Sequence, residues 1–174
     1  MPNAIDRRNS TAALIACFLV TLATHAMTSS RVASASLPSQ AGAGSLDACS
    51  LLTAAEVQTA TKKPVLVPAK SQVANLASCG FGDPKDATSK VVDLNVLVAT
   101  NAADARKALS IAKSNAADVL PVAGLGDEAY WDKFLRTLRV AKGRYQLDLV
   151  LDSAAGGLEA AKTLAAKALP RLPA

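Results

Sequence analysis

An apolar run behind two arginines near the start of the chain decides which residues are available to fold. Arg7 and Arg8 precede residues 11–23, which are almost wholly apolar, and small residues follow up to Ala26. A basic start, a short apolar stretch and a small-residue cleavage site are typical of a secretory signal peptide. We therefore predict a signal peptide over residues 1–26 and an exported protein that is periplasmic or secreted.

Two alternative interpretations of this segment place the protein at a membrane. The first is an uncleaved anchor, but residues 11–23 are short for a membrane span, which needs about 20 apolar residues. The second is a lipoprotein signal in which Cys17 carries the lipid. Few apolar residues precede Cys17 and the apolar run continues after it. A membrane anchor is therefore expected only if Cys17 is lipidated.

Cleavage after Ala26 also removes His25, the only histidine in the chain. Ser-His-Asp and Cys-His mechanisms need a histidine, and so does a His-containing zinc site. Neither a GxGxxG nor a GxxxxGK[ST] phosphate-binding pattern is present. We therefore predict a protein that is not an enzyme, with no catalytic residues, no metal and no cofactor.

Two cysteines remain after cleavage, Cys49 and Cys79. An even pair in an exported protein most often forms a disulfide, because its compartment is oxidising. Closing a loop of this length stabilises a fold by about 3–4 kcal/mol on the chain-entropy estimate. A redox-active pair is the alternative, but the pair lacks CxxC spacing and a histidine. We predict a structural disulfide.

The mature chain divides into a leader and one domain. Residues 27–46 are rich in Ser, Ala and Gly and have no periodic apolar pattern, which indicates a flexible leader. Residues 47–174 are predicted to form a single α+β domain. Its first helix begins at a capping box formed by Thr53 and Glu56 and extends to about Lys62.

The remaining elements follow from apolar periodicity. Strands are predicted at 65–67, 78–82 and 91–98, helices at 101–115 and 158–169, and a hairpin at 135–151 that turns at Lys142-Gly143 and pairs Ala141 with Arg144. The predicted fold is an antiparallel sheet of about five to six strands with helices packed on one face, in the order α-βββ-α-βββ-α.

The hairpin region combines aromatic and basic side chains in an otherwise aromatic-poor domain. Basic residues interleaved with aromatics bind anionic groups through ion pairing and stacking. The alternative is that the aromatics belong to the core and the basic residues form a solvated face. The residues predicted as a possible ligand or partner surface are Trp131, Lys133, Arg136, Arg139, Lys142 and Arg144.

Three carboxylates precede and adjoin this region, at Asp127, Glu128 and Asp132. A carboxylate-dependent hydrolase needs two carboxyl groups about 5–9 Å apart across a cleft. Neighbouring strand positions instead direct Asp127 and Glu128 to opposite faces. We expect a solvated polar edge here, with a small hydrolase as the alternative.

The spacing of several short motifs resembles a group of small exported bacterial domains of unknown function, typified by actinobacterial lipoproteins. The motifs are Cys49, Leu51-Leu52-Thr53 with Glu56, Cys79, the Gly-Leu-Gly-Asp-x-Ala-Tyr segment at 124–130, the Lys142-Gly143 turn and a closing helix. The resemblance implies a disulfide and an envelope location. It brings no activity, because the group has no established catalytic residues.

Together these features predict an exported, non-enzymatic binding or accessory domain of the bacterial cell envelope. After cleavage the chain carries 17 Lys and Arg against 13 Asp and Glu, a mild positive excess. The ligand is unknown, and an anionic envelope component or another exported protein is the expected partner. Nucleic acid is not expected. An inhibitor or partner protein that docks through the sheet edge is a further alternative.

Overall fold

The computed structural model describes residues 46–174, and within them one sheet of seven strands is accompanied by three α-helices. The predicted signal peptide at 1–26, Cys17 and nearly all of the leader lie outside the described residues. In the described part of the chain, none of the helices is long and apolar enough to cross a membrane.

The helices and strands alternate in groups along the chain. They are α1 (Ala54–Thr61), β1 (Ala69–Val73), β2 (Leu76–Asp83), β3 (Asp86–Val98), α2 (Ala102–Ser114), β4 (Val119–Pro121), β5 (Glu128–Asp132), β6 (Thr137–Lys142), β7 (Tyr145–Leu151) and α3 (Gly157–Ala168). Short 3₁₀ helices, Ala48–Ser50 and Leu169–Arg171, precede α1 and follow α3. The sheet order is β1-β2-β3-β7-β6-β5-β4, and every neighbouring pair is antiparallel. The predicted α+β class and antiparallel sheet are confirmed.

The strand count differs from the predicted five to six. The additional strand is β4, which pairs with β5 and contains a proline that weakens the strand signal in the sequence. Residues 65–67, predicted as a strand, lie in the connection before β1. Pro64 and Pro68 flank them and cannot donate to a ladder, although Leu66 N still donates to Gly82 O at 3.0 Å.

The main core lies on one face of the sheet and is filled by alternate residues of the central strands. Val92, Leu94 and Val96 of β3 stand opposite Leu151, Leu149 and Leu147 of β7, and all six side chains are buried. Their neighbours in this core include buried residues of α1 and α3. Since these apolar residues alternate with polar ones, one face is apolar over the centre of the sheet.

Helix α2 packs on the opposite face, so the prediction that all helices share one face was wrong. Leu109 of α2 clusters with Tyr130 of β5 and Ala141 of β6. Their sequence neighbours Trp131 and Val140 belong to the main core. Because successive strand residues point to opposite faces, α2 must cover the face that α1 and α3 leave open.

The hairpin of β6 and β7 forms as predicted, but its register is shifted by two residues. Lys142 pairs with Tyr145 and Val140 with Leu147, instead of Ala141 with Arg144. The turn therefore lies at Gly143 and Arg144, and Gly143 adopts a positive φ of 53°. A shift of two leaves every side chain on its predicted face, which is why apolar patterning does not distinguish the two registers.

The predicted capping box is present, and its Glu56 also contacts Arg171 near the end of the chain. Thr53 Oγ1 accepts from Glu56 N, and the Glu56 carboxylate accepts from Thr53 N at 2.9 Å. The same carboxylate receives two hydrogen bonds from the Arg171 guanidinium, at 2.7 and 2.8 Å. Arg171 also donates to Leu51 O. Hydrogen bonds from Arg171 and Thr53 lower the pKa of Glu56 from 4.5 to about 2.

The predicted disulfide is present between Cys49 and Cys79, 30 residues apart. Cys49 belongs to the 3₁₀ helix Ala48–Ser50, and Cys79 lies buried on the core face of β2. The bond therefore fastens the segment before α1 to the sheet.

Replacing both Cys49 and Cys79 with Ala should lower the free energy of unfolding by about 3–4 kcal/mol, because the unfolded chain regains the freedom that the closed loop removes. Urea unfolding of the oxidised wild type and the double variant checks this. Reductant should lower the wild-type midpoint and leave the variant unchanged. Equal midpoints for both proteins would contradict it.

Replacing Glu56 with Gln should weaken the loss of stability in acid. The folded pKa of Glu56 is depressed, so its contribution is present above about pH 4.5 and is lost as the pH falls towards 2. Gln retains a capping-box acceptor but not the charge. The measurement is the urea midpoint between pH 7 and pH 2. Glu159→Gln, which removes an exposed carboxylate of α3, is the control and should follow the wild type.

Candidate functional site

The residues predicted to form one ligand or partner surface occupy several separate settings. The set consists of Trp131, Lys133, Arg136, Arg139, Lys142 and Arg144. Most of them have partners inside the protein, and only the last two line the same hollow.

Trp131 lies in the main core and does not form a surface, contrary to the sequence prediction. Its side chain is 6% exposed and stands between Leu120 of β4 and Leu138 of β6. The preceding residue, Tyr130, is buried under α2 on the other face. Both faces of β5 are therefore covered, so an aromatic residue on either face becomes core.

Arg136 is occupied by backbone carbonyl groups. It lies in the connection between β5 and β6 with a positive φ of 52°. Its guanidinium donates to the carbonyl oxygens of Leu151, Asp152 and Ser153. This residue holds the end of β7 in place and is not presented to a ligand.

Arg139 belongs to a polar row beneath α2. Its Nε donates to Asp148 Oδ2 at 3.2 Å, and a terminal nitrogen donates to the Tyr130 hydroxyl at 2.9 Å. Gln146 donates to the other Asp148 oxygen. Burial raises the pKa of Asp148, while Gln146 and Arg139 oppose that shift. These hydrogen bonds satisfy the charged groups of Arg139 and Asp148 inside the fold.

Lys133 lies at the opposite end of β6 from Lys142 and is exposed. Its ammonium group lies 3.0 Å from Asp118 Oδ1, and its backbone N donates to Asp118 O. The adjacent Phe134, 79% exposed, shares this connection. Lys133 and Phe134 are therefore exposed, but they lie apart from Lys142 and Arg144.

Lys142 and Arg144 flank a hollow of about 300 Å³ at the turn of the hairpin, which we call the hairpin pocket. Its walls are formed by Asp127, Lys142, Gly143, Arg144, Tyr145, Leu172, Pro173 and Ala174. A neighbouring hollow of about 370 Å³ over residues 124–127 shares Asp127 and Lys142. The two hollows meet beside the end of α3.

The two cations of the hairpin pocket retain unused hydrogen-bonding capacity. Lys142 Nζ donates to Leu169 O at 3.0 Å, which uses one of its three N–H groups. Arg144 Nε is buried and has no hydrogen-bond partner among the described residues. The Arg144 guanidinium lies 5.8 Å from the centre of the Tyr145 ring. A buried donor without a partner is rare, and in the described chain it is one of four such side-chain atoms, beside oxygens of Asp93, Asp132 and Gln146.

The Gly-Leu-Gly-Asp segment builds one wall of the pocket. Asp127 N donates to Ala141 O, and Asp127 Oδ2 accepts from Gly143 N at 2.8 Å. Gly126 has a positive φ of 59° and is pressed against Ala141 O. This segment therefore supports the hairpin turn that carries Arg144.

The three neighbouring carboxylates are directed apart. Asp127 is engaged at the hairpin turn, whereas Glu128 lies 3.2 Å from Lys113 Nζ of α2. Asp132 is buried, and one of its oxygens accepts from Leu135 N. Among the described residues no group of three or more His, Cys, Asp and Glu side chains comes together in a way that would hold a metal.

Comparison with protein-family models, with curated proteins and with solved structures found no match to this chain. The resemblance to small exported bacterial domains therefore stays a prediction that depends on the short motifs in the sequence. The function must be argued from the hairpin pocket and the sheet themselves.

Replacing Gly126 with Ala should destabilise the fold by about 3 kcal/mol. A Cβ there would overlap Ala141 O and a methyl group of Val140, in a backbone conformation that L residues rarely adopt. Gly124→Ala is the matched control: its φ is also positive, but a Cβ there meets nothing within 4 Å, so about 1 kcal/mol is expected. Equal losses in thermal or urea unfolding would contradict the packing argument.

Proposed function

We propose that this chain is an exported, non-enzymatic binding or accessory domain of the bacterial cell envelope, and that its hairpin pocket binds a small anionic group. The observation that carries this proposal is that two cations, Lys142 and Arg144, line one hollow of about 300 Å³ and that not all of their hydrogen-bond donors are used within the described chain. The signal-like segment at 1–26 and the Cys49–Cys79 disulfide support an oxidising compartment.

The lining of the pocket defines the chemistry of the proposed ligand. Lys142 and Arg144 supply donors for a carboxylate or a phosphate, and Tyr145, Leu172 and Pro173 supply apolar surface. Asp127 is committed to Gly143 N, so it lies close to the cations without using their donors. A compact anion attached to an apolar body fits this lining best.

A long polyanion is a poorer fit than a small one. Extended anionic polymers need a track of available cations. Two neighbouring cations are already engaged, because Arg136 donates to backbone carbonyls and Arg139 to Asp148 and Tyr130. The available positive charge is concentrated at the turn, which favours a small ligand or a single side chain of a partner protein.

Binding is also favoured over hydrolysis by two carboxylates. Asp127 has the one side-chain carboxylate among the residues that line the hairpin pocket, and Glu128 is paired with Lys113 elsewhere. A general acid and base on either side of a scissile bond need two such groups. We therefore assign the pocket a binding role.

Arg144→Gln should weaken binding at this pocket by about 10- to 100-fold, since a hydrogen bond to a charged group contributes about 1.5–3 kcal/mol. The probes are phenyl phosphate, benzoate and inorganic phosphate, with benzyl alcohol as the neutral comparison. Titrations followed by ¹H–¹⁵N NMR should move the amide signals of Gly143 and Arg144, with the first two probes binding more tightly than the others.

The matched control is Lys133→Gln, which removes the same charge at the far end of β6 and should leave every affinity unchanged. Wild-type affinity in Arg144→Gln, or equal responses to both variants, would contradict the proposed pocket. Tighter binding of benzyl alcohol than of benzoate would show an apolar site instead of an anionic one.

A further inference from the structure

The two edges of the sheet are protected to different degrees. Edge strand β4 has three residues and includes Pro121, which has no N–H to offer. Edge strand β1 has five residues, all exposed, and within the described chain it pairs only with β2. Its outward backbone groups form a template on which another strand can pair.

Hollows flank β1 on both sides. One, of about 250 Å³, lies between β1 and residues 46–48. The other, of about 370 Å³, has Gly80 and Gly82 in its floor and Leu66 and Val67 in its wall. Lys70, Ser71 and Ser78 line both. Side chains of an added strand alternate between faces, so they would enter the two hollows in turn.

Exposed apolar side chains surround the same edge. Eight large apolar residues are exposed in the described part of the chain, and four of them, Leu66, Val67, Val73 and Leu76, lie in β1, beside it or at the start of β2. Val67 is 87% exposed. Such clustering marks interaction surfaces, whereas apolar residues scattered singly do not.

The charges at this edge favour a different polypeptide over a second copy of the chain. Antiparallel pairing of two β1 strands about Ser71 would place Lys70 opposite Gln72 and make the two Lys70 side chains diagonal neighbours on one face. The Lys70 side chain is 74% exposed, and it forms a salt bridge with Asp47 Oδ2 at 3.6 Å, a solvent-exposed ion pair that contributes little to stability. An acidic side chain on an incoming strand would complement this lysine.

We propose that β1 is the docking edge for an extended segment of another polypeptide that carries an acidic side chain opposite Lys70. The segment adds an eighth strand to the sheet through backbone hydrogen bonds. Its alternate side chains enter the two hollows, with small residues over Gly80 and Gly82. This surface is separate from the hairpin pocket, so each proposal stands or fails independently.

A display library of random ten-residue peptides, selected on the oxidised protein, tests the proposal. The recovered peptides should be acidic, free of central proline and rich in strand-forming residues. Their affinity should fall at least tenfold for Lys70→Glu and stay unchanged for Lys85→Glu, an equal charge reversal in the turn between β2 and β3. Equal effects of the two variants, or no recovered peptide, would overturn the proposal.

Proline variants test the backbone hydrogen bonding of the β1 edge separately from the contribution of its side chains. Successive N–H groups of β1 point alternately towards β2 and outwards, so one of Ser71→Pro and Gln72→Pro should block peptide binding while keeping the wild-type thermal midpoint. The other should lower that midpoint. Peptide binding by both variants would overturn the proposal. So would sedimentation that shows a wild-type dimer which the blocking variant abolishes, because the edge would then pair with a second copy of the chain.

Discussion

The pairing of β3 with β7 is the contact on which the rest of the structure depends. It joins Val92–Val98 to Tyr145–Leu151 through seven consecutive residue pairs. In the described sheet it is the one strand pairing that links the first half, β1 to β3, to the second half, β4 to β7. Within each half, strands pair with their neighbours in sequence. Without the β3–β7 contact, neither half would complete the apolar face that α1 and α3 cover, since that face runs across both strands.

The two halves of the sheet differ in how they are covered, and this difference separates the two proposed sites. Over β6 and β7 there are helices on both faces, so most of the basic and aromatic side chains there are used within the fold. Strands β1 and β2 have a helix-free outer face and an open edge. The hairpin pocket escapes this coverage because it lies at the end of the hairpin, where residues 172–174 form only one wall.

Local patterns predicted the helices, the hairpin and the disulfide well, because capping residues, apolar periodicity and an even cysteine pair are local or compositional signals. Two errors have one physical origin, namely that sequence does not show what covers a strand from outside. The alternation in β6 and β7 indicated an exposed polar face, yet Arg139 of β6 lies beneath α2, where it donates to Tyr130 of β5. Trp131 was predicted for a possible surface because aromatic and basic residues interleave around it, and the alternative, a core aromatic, is what the structure has. Lys142 and Arg144 stay candidates; residues 172–174, which line the same hollow, were not among the candidates, because no local pattern reports a contact across about 30 residues.

The position of the disulfide also determines what can form first along the chain. Cys49 and Cys79 both precede β3, and β1, β2 and β3 pair with one another in sequence, so this unit can oxidise and assemble without any residue of β7. Contacts between sequence neighbours close at a low entropic cost, whereas the β3–β7 pairing must close a loop of about 50 residues. If the N-terminal end of the chain emerges first, β3 is therefore already the edge of a formed sheet when β4 to β7 become available. The second half of the sheet then assembles on that edge.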